Sequence, residues 1–123
     1  MEIIRRDQVP ALTMSGIVSH QSLFPENSAS TRVTITRVVV EPGAVNSRHR
    51  HATSEQVWVA LRGAGTLLLA NDATAPFAEG AVVRFAEGDV HGFRNTGSVP
   101  FEYLAVTALP VAAAAPTIVS IAG

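Results

Sequence analysis

The sequence predicts an all-β fold, a barrel or sandwich of short strands, and three observations carry that expectation. Runs of β-branched and apolar residues recur along the chain, separated by Gly, Pro, Asn and Asp. The turn signals come at regular intervals, as they do where strands fold back on one another. No segment keeps a capped i, i+3, i+4 apolar spacing, so helices are not expected.

The elements follow in order. The first thirty residues form a less patterned strand and loop arm, with Pro25 to Ser30 (PENSAS) as an exposed loop. Thr31 to Glu41 (TRVTITRVVVE) reads as a strand ending in the turn Pro42-Gly43. Glu55 to Leu61 and Gly65 to Ala70 read as a hairpin around Arg62-Gly63-Ala64-Gly65, and Asn71-Asp72 ends its second strand. Ala81 to Phe85 is a short strand, and Glu87-Gly88-Asp89 turns into the segment holding His91. Asn95-Thr96-Gly97 turns again, and Phe101 to Leu109 (FEYLAVTAL) makes a last long strand between Pro100 and Pro110. An apolar tail, 111–123, is broken by Pro116 and too short to span a bilayer.

Composition narrows the function. At 123 residues the chain is expected to form one domain, 1–123, with no internal repeat or linker. It is 47% hydrophobic and 15% charged, which excludes a disordered composition. The net charge of −1 comes without any basic run, so nucleic acid is not an expected partner. All nine cationic side chains besides histidine are arginines, which removes lysine Schiff-base chemistry. The absence of cysteine removes disulfides, thiolate nucleophiles and thiolate ligands. The N-terminus MEIIRRD lacks an apolar signal core, no membrane segment is expected, and a cytoplasmic location is the default.

Three of the four histidines form the candidate site. His49 and His51, at i and i+2 on an extended strand, point to one face and can share an ion. His91 adds a third imidazole from another strand, and residue 55 or 56 a fourth ligand. Neutral imidazoles with one oxygen donor suit a divalent first-row metal, with iron, manganese, nickel, zinc and copper all open. His20 reads as an ordinary polar strand residue. Arg48 and Arg50 alternate with the histidines and should face away. Trp58 and Phe93 are candidate cavity walls or core, and Tyr103, the only phenol, is a candidate general acid or a core residue.

Two segments of the chain resemble the paired motifs of the cupin superfamily. Gly43, His49, His51 and Gly63 fit the first motif (43–63). Gly80, Gly88, His91 and Asn95 fit the second (80–95), with Ala86 where the family usually has proline. The resemblance implies a single-domain cupin β-barrel, a conical jelly roll, with one divalent metal inside. The family's fourth ligand is normally Glu. The distance to Gly63 places that position at Gln56, by the register of the hairpin, with Glu55 as the alternative. Alternation argues the other way, because Glu55 shares a face with Val57, Val59 and Leu61. With Gln56 as ligand, Glu55 is free to act as a base. Cupins include dioxygenases, isomerases, lyases, cyclases and binding modules. The resemblance therefore implies a metal-dependent enzyme acting on a small organic molecule, with a dioxygenase-like reaction first. A non-catalytic ligand-binding or metal-binding module is the alternative, and a homodimer is expected.

Overall fold

A computed structural model describes residues 1–108 and 118–120. Its strands are β1 (Ala11–Met14), β2 (Ile17–Leu23), β3 (Val33–Val40), β4 (Val45–His51), β5 (Glu55–Arg62), β6 (Ala64–Leu69), β7 (Thr74–Ala78), β8 (Val82–Phe85), β9 (His91–Arg94), β10 (Phe101–Ala108) and β11 (Ile118–Ser120). There is no α-helix among the described residues. Two short 3₁₀ turns lie at Arg6–Gln8 and Ala70–Asp72. The expected all-β class is what the molecule adopts.

The strands make two antiparallel sheets. One runs β1-β2-β3-β10-β5-β8 and the other β11-β4-β9-β6-β7. The strands expected at 31–41, 55–61, 65–70, 81–85 and 101–109 are present with ends shifted by a few residues. Residue 109 and most of the apolar tail lie outside the described residues, and β11 within that tail pairs with β4.

The expected hairpin of 55–61 and 65–70 needs correction. β5 pairs with β10 and β8, whereas β6 pairs with β7 and β9. Gly63, at φ +89°, carries the chain from one sheet into the other, a backbone conformation that glycine adopts at least cost. Three strands also lie where the residue pattern carries little signal. β1 is exposed at every position, and β2 is half-buried throughout. β7 contains Pro76, which a sheet tolerates there because β7 is an edge strand.

Aromatic side chains fill the space between the sheets. Trp58, Tyr103, Phe93 and Phe101 are each at most 1% exposed, and Phe77 and Phe85 pack with them. Their ring centroids lie 4.2–6.5 Å apart, the spacing of tilted and edge-to-face pairs. On β5 the inward face is Gln56, Trp58 and Ala60, all buried, so Val57, Val59 and Leu61 lie on the outer face. That outer face is unusually apolar, which is why alternation alone misread the inside of this strand.

Candidate metal centre

His49 and His51 come from β4, and His91 opens β9 beside them, with His49 and His91 as register partners. One ring nitrogen from each lies within 4.8 Å of the other two. The way these rings meet depends on a β-bulge. Asn46 pairs with Phe93 and His49 with His91, so β4 spends one residue more than β9 over the same span. The extra residue lets Asn46, His49 and His51 meet interior neighbours, while Arg48 reaches outward to the carbonyls of Leu69 and Ala73. Opposite the bulge is Gly92, where a Cβ would stand 2.6 Å from the Asn46 carbonyl oxygen and 2.9 Å from the Arg48 nitrogen.

The turn before His91 is tied to the histidine strand. Gly88 N donates to the His51 carbonyl at 2.8 Å, and the Asp89 carboxylate accepts from Ala86 N at 2.9 Å. Asn95, at the end of the second motif, is a structural staple. Its buried amide donates to the Val40 and Val99 carbonyls and accepts from Gly97 N.

Two rings of the triad have a fixed tautomer. Nδ1 of His49 donates to the Ser47 carbonyl at 2.8 Å, and Nδ1 of His91 to the Asp89 carbonyl at 2.9 Å. A carbonyl only accepts, so the proton is on Nδ1 and the Nε2 lone pair is left for another partner. Nε2 of His91 and of His51 are buried with no hydrogen-bond partner among the described residues. Such orphans cost about 1–3 kcal/mol each, and a cation at the centre of the cluster relieves them. Burial pushes the His91 imidazole down to about 4, against a rise from its bond to the Asp89 carbonyl, with His49 and His51 lowering it further. His51 is lowered by burial and then by His49. These two rings are therefore neutral at pH 7, the state in which imidazole binds metal. The residues present fit a divalent ion.

The remaining candidates are placed as follows. Gln56 is buried; its Oε1 accepts from Trp58 Nε1 at 2.7 Å and its Nε2 donates to Thr107 Oγ1 at 2.7 Å. Trp58 in turn meets the His91 ring edge-on at 5.5 Å. Glu55 is on the opposite face of β5 in an exposed pair with Arg84 at 2.8 Å, and the structure does not bring it to the triad. Among the described residues no carboxylate joins the histidine cluster. Phe85 stacks on His91 at 4.2 Å, and Phe93 and Trp58 are core. His20 pairs across the sheet with Arg37, on the face away from Ile17 and Ser19, and does not join the triad. Tyr103 is buried, and its hydroxyl oxygen accepts from Asn46 Nδ2 at 3.3 Å. Asn46 went unnoticed in the sequence, because only the bulge turns it inward.

A family model described as the cupin domain matches residues 36–107. The chain belongs to the cupin family. An uncharacterized protein of Methanocaldococcus jannaschii is 25% identical to this cupin over 95 residues, 77% of this chain and 75% of its own. Among solved structures, a predicted oxalate decarboxylase from Thermotoga maritima superposes with a TM-score of 0.77 at 23% identity, covering 88% of this chain and 99% of its own. The polyketide cyclase RemF from Streptomyces resistomycificus gives 0.80 at 19% identity, covering 100% and 87%. At these identities the structural likeness is one of fold. No helix among the described residues is long and apolar enough to cross a membrane.

Proposed function

We propose that this cupin is a divalent-metal-dependent enzyme acting on a small organic molecule, with His49, His51 and His91 holding the ion and Gln56 at the fourth-ligand position. One observation carries the reading: the triad presents buried ring nitrogens that nothing among the described residues satisfies, and on His91 the fixed tautomer makes that nitrogen a lone pair. A divalent ion held there supplies Lewis acidity and open coordination positions. The chain's own residues do the rest. The Ser47 and Asp89 carbonyls fix the His49 and His91 rings. Phe85 and Trp58 shield His91 from water. Tyr103, pushed by burial up to about 12 against a lowering bond from Asn46, keeps its proton at neutral pH and serves as a donor.

A dioxygenase-like reaction is the first class to test. With three imidazoles and an amide the ion keeps its full charge, which favours binding an enolate oxygen of the substrate. The second reading, a binding module without turnover, is favoured by the placement of Glu55 outside the barrel, which leaves no carboxylate base at the triad among the described residues. Chelator competition and oxygen uptake separate the readings. Wild type loaded with iron(II) should consume oxygen with an enol substrate, and His91→Ala should lose metal affinity by at least about 100-fold, more than a lost outer-shell partner costs. Metal binding without turnover of any enol would favour the binding module, and absence of metal binding would end the metal-dependent reading and leave only a ligand-binding module.

A further inference from the structure

A cavity of about 750 Å³ opens between the β1–β2 hairpin and β4 and reaches the triad through His49. That volume suits a drug-sized ligand. Leu12, Met14, Ile17, Val38 and Val45 give it apolar walls. No carboxylate lines it, and Arg48 lies along its wall with its guanidinium bonded to the carbonyls of Leu69 and Ala73.

The buried polar group in this cavity is the Tyr103 phenol, 1% exposed. Asn46 donates to its oxygen, which orients the ring hydroxyl, and the phenol proton has no acceptor among the described residues. A buried donor left unpaired is costly, and a ligand oxygen is what satisfies it. We propose that Tyr103, oriented by Asn46, is the substrate-selecting donor of this cavity, and that the substrate is a mainly apolar molecule presenting a hydroxyl or carbonyl oxygen on the side that meets His49. The proposal rests on the metal-dependent reading only in placing the reacting end of the substrate at the triad. β1 then has a purpose beyond extending the sheet. Its exposed Leu12 and Met14 form the wall against which the apolar body of the substrate packs.

The test uses 2′-hydroxyacetophenone as a neutral hydroxy-ketone probe and oxalate as a small dianion, both titrated into zinc-loaded protein. Trp58, the single tryptophan, lies 4.5 Å from the Tyr103 ring and reports binding by fluorescence. The neutral probe should bind more tightly than oxalate. Tyr103→Phe should weaken it about tenfold, the worth of one hydrogen bond, with zinc affinity unchanged. Met14→Asp, at a position 76% exposed where folding is not at risk, should also weaken it several-fold by placing a charge on the apolar wall. Unchanged probe binding in Tyr103→Phe, or tighter binding of oxalate, would overturn the proposal. If wild type takes up no zinc, the metal reading alone fails. The same comparison in metal-free protein then decides: weaker probe binding by the variants supports the selecting donor, and equal binding rejects it.

Discussion

Gln56 is the residue we propose at the fourth-ligand position, with an amide in place of a carboxylate, and its hydrogen bonds indicate what exchanging the two would change. In Gln56→Glu one carboxylate oxygen still accepts from Trp58 Nε1, and the other accepts from the Thr107 hydroxyl once that proton turns around. Packing is kept, and a negative charge is added beside three neutral imidazoles. If residue 56 faces the ion, the attraction between opposite charges in a poorly hydrated site should raise metal affinity about tenfold or more. Chelator competition with zinc or nickel checks it. Equal or weaker affinity would leave Gln56 as a bridge between Trp58 and Thr107 with no part in binding the ion. Glu55 offers no substitute, since its pair with Arg84 is exposed and such pairs contribute about 0–1 kcal/mol.

The element on which the site depends is the bulged pairing of β4 with β9. Placing His49 and His51 on one strand needs only alternation, but aligning them with His91 needs the extra residue in β4, and that residue needs room. Gly92 provides it. In Gly92→Ala the new methyl group would meet backbone atoms of Asn46, Ser47 and Arg48 at 2.6–3.0 Å, and backbone cannot step aside as a side chain does. We expect a loss of about 1–3 kcal/mol in urea unfolding, typical of an overpacked site, together with weaker metal binding as the bulge shifts His49 away from His91. A variant with normal metal affinity would show that the triad tolerates a different register. The same strand pair marks the limit of reading by sequence. The histidines and the turn glycines at 63 and 88 were legible because their spacing is local. The bulge was not, because Ser47 and Arg48 carry no signal for it. Tyr103 stood out as the only phenol, but its bond to Asn46 spans 57 residues and follows from the topology alone. Pro76 hid β7, and the weak patterning of segment 11–23 hid the hairpin that closes the cavity.

For the molecule as a whole, the triad links stability to pH. His91 in the folded chain takes up its proton near pH 4, whereas in an unfolded chain it does so near 6.5. Between those values the unfolded state holds more protons, so acid favours unfolding; the stability is fully present above about pH 6.5 and is lost as pH falls toward 4. At about 1.4 kcal/mol per pH unit, the loss in metal-free protein is on the order of 3 kcal/mol, a large share of the stability of a small domain. His51, lowered in the same direction, adds to it. A bound ion steepens the dependence, because the protons must then displace the metal as well as enter a buried site. At a metal concentration about 100 times its dissociation constant the ion adds about 2.7 kcal/mol near neutral pH, and that gain disappears over the same acid range. Urea midpoints measured from pH 7 to 4.5, with zinc and with chelator, check both parts. His91→Gln keeps a neutral polar side chain but cannot titrate, so its chelated form should lose most of the acid dependence between pH 6.5 and 4.5 and should gain little from zinc at any pH. If the variant kept the full acid slope of the metal-free wild type, the link between the triad and acid stability would be wrong, and the carboxylates would have to account for it.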